Sequence, residues 1–210
     1  LWGVRPDEGR PRLAELTKTV GIDDILDRPV ATYSGGQRRR TEIVRALLSA
    51  PRVLFLDEPT VGLDTRIRYD LFDVIATLRE RTGVTIIMTT HYLDEAERLC
   101  DRLAIIDSGQ MVACDTPARL LASIGSAVLE LRLDEPGKLA SLLHDHGVAD
   151  DDVLVIGETA TVSLRDVTAA QVTRLLEDHS VHARSATTRP PTLDDVYLRL
   201  TGDRIAGKND

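Results

Sequence analysis

Val53-Leu54-Phe55-Leu56-Asp57-Glu58-Pro59-Thr60 sets four consecutive apolar residues directly before two acids and a proline. An uninterrupted apolar run of this length suits a central strand of a parallel sheet, covered on both faces. Asp57 then stands where a buried strand releases into a loop at the sheet's carboxyl edge, the place where open α/β sheets bind ligands. An acid there commonly orients Mg²⁺ on a phosphate, and the adjacent Glu58 has the chemistry to position and polarise a water. Two solvated carboxylates capping a turn before Pro59 are the plainer alternative. The apolar run leading into them weighs against it.

Upstream, Leu13, Leu16, Val20 and Ile25 recur at a loose helical period across residues 11–25, interrupted by Gly21. Residues 27–30 read as a loop. Ser34-Gly35-Gly36 opens a second helix whose apolar face is Ile43, Val44, Leu47 and Leu48, with Pro51 ending it. Downstream, Leu71, Ile75 and Leu78 mark a helix over residues 66–81 that Gly83 terminates. The β-branched run 84–90 is a second strand ending at His91. A helix over 93–99 and a hairpin of strands 103–107 and 110–114, joined by Ser108-Gly109, follow. Strand–helix alternation through this stretch argues an α/β fold with a mostly parallel sheet.

Beyond about Ser123 the texture changes. Residues 127–134 alternate, with Leu129, Leu131 and Leu133 on one face. Helical patterns at 138–146 and 168–179 are interleaved with short strands at 153–156, 161–164 and 181–187. That order, βαββαβ, is the ferredoxin-like split motif. Pro190-Pro191 breaks the chain before a last helix, for which Thr192 is a good N-cap.

The chain has 210 residues, 42% hydrophobic and 29% charged, which is ordinary globular usage. No apolar run approaches the roughly 18 residues of a membrane-spanning helix, and no secretory leader pattern opens it, so a cytoplasmic location is expected. The net charge is −8; residues 1–122 carry 17 basic and 19 acidic side chains, residues 123–210 carry 9 and 15. Neither part offers the basic footprint of a nucleic-acid binder. Cys100 and Cys114 are too few for a disulfide framework or a metal cage, and reduced thiols are expected. The chain opens on Leu1-Trp2-Gly3 with no Met, as a fragment or a misplaced start would.

Three further positions can carry chemistry. Ser34-Gly35-Gly36-Gln37 stands at a helix start, where backbone N–H groups and the macrodipole favour an anion and glycines admit a phosphate. Such a tetrapeptide is also an ordinary helix cap. Asp64 lies six residues after Glu58 in the Gly62-Leu63-Asp64 turn, and His91 lies at the end of the second strand. Two adjacent strands would bring His91 and Glu58 to one edge.

Tyr33-Ser34-Gly35-Gly36-Gln37, then the 53–60 stretch, then Gly62-Leu63-Asp64, then Thr90-His91, in this order and spacing, resemble the nucleotide-binding subunit of ABC transporters over residues 1 to about 122. Tyr33 stands where Leu is commoner. Two further stretches, residues 90–96 (Thr90-His91-Tyr92-Leu93-Asp94-Glu95-Ala96) and 191–198 (Pro191-Thr192-Leu193-Asp194-Asp195-Val196-Tyr197-Leu198), resemble the daunorubicin-resistance type of drug exporter. The resemblance implies a partial ABC-type ATPase core, a helical subdomain at 1–50 and a mostly parallel sheet region at 51–122, then a small α+β ferredoxin-like accessory domain at 123–210. It implies that Ser34, Gly35, Gly36 and Gln37 are the signature loop, offered to ATP bound mainly to a second ATP-binding subunit in a head-to-tail dimer. By the same resemblance Asp57 is the Walker B acid on Mg²⁺, Glu58 the general base, Asp64 the residue coupling the two sites and His91 the switch histidine on the γ-phosphate. A separate integral membrane permease is implied, with the protein peripheral on the inner face of the cell membrane.

Two family motifs do not occur. No Gly-x-x-x-x-Gly-Lys-Ser/Thr loop precedes the signature, and Gln37, Gln110 and Gln171 are the only glutamines, leaving none for the Gln loop. The run 202–209 imitates the phosphate loop, but position 209 is Asn, without the hydroxyl that holds Mg²⁺. The expected function is therefore the ATP-hydrolysing subunit of a drug or antibiotic exporter, with catalysis by these residues alone doubtful. The alternatives are a truncated, non-catalytic interaction protein and a soluble ABC ATPase unconnected with transport.

Overall fold

The computed structural model describes residues 4–201; the opening tripeptide and the imitation phosphate loop lie outside the described residues. The chain divides into two compact units, Leu1–Glu95 and Ala96–Asp210.

In the first unit, α1 (Pro6–Val20) starts a turn earlier than its apolar period suggests, because Pro6 suits the first helical position, and ends on left-handed Gly21 at φ 66°. A 3-10 turn (Asp23–Ile25) and another (Val30–Thr32) lead to α2 (Gly35–Leu47). The Tyr33 hydroxyl is buried and donates to the Ile25 carbonyl at 2.7 Å, so the large ring closes this connection. β1 (Val53–Asp57), α3 (Thr65–Thr82) and β2 (Thr85–Thr89) form a crossover unit in which β1 and β2 pair in parallel, Val53 with Thr85 through Asp57 with Thr89. Leu16, Val20, Ile43, Val44, Leu47, Leu54, Leu71, Ile75 and Leu78 make the core.

One expectation is corrected here. β1 is covered on one face only: Leu54 and Leu56 are buried while Phe55 is 71% exposed, and Ile87 beside it on β2 is exposed as well. The described ladder has two strands, and Phe55 and Ile87, paired across it, share its exposed face. A continuous apolar run reports the capacity for two-sided burial, and this structure uses half of it.

In the second unit, β3 (Leu103–Asp107) and β4 (Gln110–Asp115) pair antiparallel through Ser108 and Gly109, both at positive φ as a tight hairpin turn demands. A short α5 (Pro117–Ala122), capped by Thr116 and absent from the sequence reading, follows. β5 (Val128–Leu133), α6 (Pro136–Asp145), β6 (Val153–Ile156), β7 (Thr159–Ser163), α7 (Ala169–Asp178) and β8 (Ala183–Arg189) give an antiparallel sheet in the order β6-β7-β5-β8. That is the ferredoxin-like order. Leu131, Leu133, Leu139, Leu143, Val162 and Val172 are nearly inaccessible and form its core. α8 (Leu193–Thr201) closes the described chain, with Asp195 taking the Thr192 amide at 2.8 Å and a two-pronged Arg189 contact at 2.7 and 2.8 Å. α4 (Leu93–Leu99) spans the residues at which the two units divide.

Candidate functional site

Parallel pairing of β1 and β2 delivers Asp57 and Thr89 side by side, so the residues that follow each strand emerge together. The Thr89 hydroxyl donates to Asp57 Oδ1 at 2.5 Å. The Glu58 amide donates to both the carbonyl and the hydroxyl oxygen of Thr89, at 3.2 and 3.1 Å. Glu58 itself has φ 46°, in the left-handed region, which costs a non-glycine residue about 1–2 kcal/mol. Neighbours over-determine that conformation: its carbonyl accepts from the Val61 amide at 3.3 Å and from Arg39 on α2 at 3.5 Å. The strained backbone turns the Glu58 side chain back to the sheet edge. There Glu58 Oε2 lies 2.7 Å from His91 Nδ1. An ionised carboxylate can only accept, so Nδ1 carries the proton in this contact and Nε2 is the ring's remaining polar atom. Both side chains are about half exposed, and the His91 ring lies 4.1 Å from that of Tyr92, centroid to centroid.

The N-terminus of α2 adds a second feature. Ser34 and Gln37 form a reciprocal capping box: the Gln37 amide donates to Ser34 Oγ at 3.3 Å and the Ser34 amide to Gln37 Oε1 at 2.9 Å. The first-turn amides of Gly35 and Gly36 have no preceding turn to bond. A Cβ on Gly36 would stand 2.5 Å from Ile67 Cγ2, so the absence of a side chain is what lets α2 approach α3. Asp64 caps α3, accepting the Ile67 amide at 3.0 Å. Thus the α2 start, the 58–64 turn and the two strand ends are neighbours within one unit. Asp64 and the Ser34–Gln37 pair spend their side chains on helix caps, whereas Glu58 and His91 spend theirs on each other.

Asp57 fits a magnesium ion by donor chemistry. It is a hard oxygen ligand, exposed at a strand end, and Mg²⁺ typically takes one or two protein carboxylates together with substrate phosphates. Among the described residues no cluster of three His, Cys, Asp or Glu side chains could hold a metal by itself. Cys100 is half-buried and Cys114 exposed.

Several residues around this edge escaped sequence reasoning. Thr89 holds Asp57, and Arg39 holds the Glu58 carbonyl. Glu95 is fully buried, with 0% exposure, and binds hydroxyls from both loops. No local signal marked Glu95, which in sequence is one more acid in the first turn of α4.

A family model described as ABC transporter matches residues 5–61. The daunorubicin/doxorubicin resistance ATP-binding protein DrrA of Streptomyces peucetius is 40% identical over 209 residues, 96% of this chain and 62% of that protein. A daunorubicin resistance ATP-binding protein of Streptomyces coeruleorubidus is 38% identical over 209 residues, 97% of this chain and 65% of that protein. The linearmycin resistance ATP-binding protein LnrL of Bacillus subtilis is 34% identical and covered to 66%. The chain therefore spans a little under two thirds of the length of the relatives it matches. Among solved structures, cbiO1 of Clostridium perfringens, described as part of the ABC transporter complex cbiONQ, superposes with a TM-score of 0.53 at 32% identity, covering 56% of this chain and 47% of that one. By sequence and by the α/β fold of its matched part, this chain belongs to the ATP-binding family of ABC transporters and resembles its daunorubicin-resistance members.

Proposed function

We propose that this chain supplies the water-positioning edge and the signature loop of an ATP-hydrolysing ABC cassette that powers an exporter. The observation that carries the reading is the 2.7 Å Glu58–His91 contact at the carboxyl ends of two adjacent parallel strands, with Glu58 held in a left-handed conformation. In this reading the Glu58 carboxylate orients a water and accepts its proton. The water oxygen bonds to the γ-phosphorus of ATP, the bond from that phosphorus to the ADP oxygen breaks, and the proton passes on to the phosphate formed. His91 fixes the Glu58 carboxylate through Nδ1–H and presents Nε2 to the γ-phosphate. Asp57 is the ligand for Mg²⁺, which when bound neutralises charge on the phosphate oxygens.

Ser34, Gly35, Gly36 and Gln37 form the signature loop, directed at a nucleotide held mainly by a second ATP-binding subunit in a head-to-tail dimer, and Asp64 couples the two sites. Residues 1–50, 51–122 and 123–210 are the helical subdomain, the remainder of the ATPase core and an accessory domain. A separate membrane permease carries the cargo and binds the subunit at the cytoplasmic face, as the likeness to transporter ATP-binding proteins supports. Drugs or antibiotics are the cargo class, as the likeness to daunorubicin and linearmycin resistance proteins supports.

Glu58→Gln, measured in the native polypeptide with its transporter partners, tests the reading. Turnover is expected to fall by about 10²–10⁴-fold, the usual worth of a positioned acid–base group, while ATP binding persists. Undiminished hydrolysis would refute it.

A further inference from the structure

Glu95 is a fully buried carboxylate. Its Oε1 accepts from the Thr60 hydroxyl at 2.5 Å and its Oε2 from the Thr90 hydroxyl at 2.7 Å. Thr60 is two residues beyond Glu58, in the turn where the Leu63 amide bonds the Thr60 carbonyl at 3.1 Å. Thr90 immediately precedes His91, and its hydroxyl also accepts the Tyr92 amide at 3.0 Å, which leaves its proton for Glu95. The segments Glu58–Pro59–Thr60 and Thr90–His91 thus form the two sides of a closed ring. The Glu58–His91 hydrogen bond closes one end and the Glu95 carboxylate the other.

Burying a carboxylate is costly unless its oxygens are satisfied and its charge is compensated. Arg68 supplies the compensation. Its Nε is 4.0 Å from Glu95 Oε1, its terminal nitrogen bonds Asp94 at 3.3 Å, and its guanidinium lies 4.8 Å from the Tyr92 ring centroid. A fold needing only to fill this space would be served by an apolar side chain. A carboxylate instead specifies the separation of two hydroxyls, because its two oxygens are rigidly spaced.

We propose that Glu95 is a positioning residue: by clamping Thr60 and Thr90 it sets the separation of the Glu58 and His91 loops and hence the geometry of their contact. It touches neither water nor phosphate. The proposal deepens the functional reading above and rests on it for its consequence in turnover.

Three variants test it. Glu95→Gln keeps the shape but offers one acceptor oxygen to two hydroxyl donors. Thr90→Val removes one hydroxyl at nearly constant volume, and Thr90→Ser keeps that hydroxyl as the conservative control. In the native polypeptide with its transporter partners, Glu95→Gln and Thr90→Val are expected to lower kcat by about 10–100-fold, the usual effect of a misplacement near 1 Å, with KM for ATP within about two-fold. Thr90→Ser is expected to stay close to wild type. In the 210-residue chain, the imidazole ¹⁵N shifts of His91 are expected to lose the pattern of an Nδ1–H tautomer in Glu95→Gln and Thr90→Val only. Wild-type kcat and unchanged His91 shifts in a folded Glu95→Gln protein would overturn the proposal, as would loss of stability without any change in either. Should Glu95→Gln fail to fold, Thr90→Val against Thr90→Ser decides by the same readouts. Turnover that survives Glu58→Gln, or is absent from the wild type, would refute the functional reading alone, and the His91 shifts would then judge the clamp.

Discussion

Replacing Gly36 by alanine separates packing from phosphate chemistry at the start of α2. The added Cβ would lie 2.5 Å from Ile67 Cγ2 and 3.9 Å from Ile67 Cβ. Carbon atoms meet favourably at about 3.5–4.0 Å, so the two groups must part by about 1 Å. Ile67 cannot swing away cheaply, because a β-branched side chain in a helix has one strongly preferred rotamer. Its backbone is pinned as well, since the Ile67 amide is the donor to the Asp64 cap. Overpacking of this kind costs about 1–3 kcal/mol. Alanine recovers about 0.5–1 kcal/mol over glycine in a helix. The net expectation is a destabilisation of about 1–2 kcal/mol. Gly35→Ala is the internal contrast. Its Cβ would meet only Leu63 Cδ2, at 3.3 Å, the far end of a flexible side chain, so the change is expected to be near neutral. Urea unfolding of the 210-residue chain, followed by circular dichroism and by hydrogen exchange of peptides from α2, reads both. Adding Ile67→Ala to Gly36→Ala removes the clashing methyl and is expected to recover about 1 kcal/mol of coupling. Equal stability of the two alanine variants, or no recovery in the double variant, would refute the reasoning.

Asp64→Ala removes the cap of α3 and is expected to lower stability by about 1 kcal/mol, while Asp64→Ser, which can still cap, loses much less; chemical denaturation checks both. Mg·ATP titrated calorimetrically into the 210-residue chain is expected to bind more weakly than micromolar, since no phosphate loop precedes the signature, and saturable micromolar binding would contradict that. In the second unit, burial pushes the Asp195 carboxyl up, but the Arg189 fork and the Thr192 amide and hydroxyl outweigh it and hold it below the ordinary carboxylate range. A lowered folded-state value stabilises above the unfolded-state pKa, about 3.9, and that contribution is lost as pH falls through the folded value. Acid unfolding of this unit followed by circular dichroism should therefore show a step below about pH 4, which Arg189→Ala shifts upward.

Much of the molecule was readable locally. The apolar periods of 71, 75 and 78 and of 43, 44 and 47 found α3 and α2, because a helix that buries one face must repeat near 3.6 residues. Alternation at 129, 131 and 133 found β5, and the order of short elements after Ser123 gave the ferredoxin-like sheet before its register was known. The placement of Asp57, Glu58 and His91 at the ends of two strands was legible too, and the parallel pairing brings Glu58 and His91 to one edge.

Other features depend on residues far apart in the chain. That Phe55 lies open while Leu54 is buried follows from which elements pack on β1, and a uniform apolar run carries no record of that. The left-handed turn at Glu58 arises because Thr89 and Arg39 hold its backbone from 31 and 19 residues away. Gly36 reads in sequence as room for a phosphate, yet the nearest claim on its missing side chain is Ile67. Glu95 shows the divide best. Its neighbours in sequence mark it as one more acid at the start of a helix, and only the parallel pairing of β1 with β2 brings Thr60 and Thr90 to its two oxygens. Periodicity and turn chemistry are local and survive in the sequence, whereas a buried hydrogen bond needs both partners placed, and that placement exists only once the chain has folded.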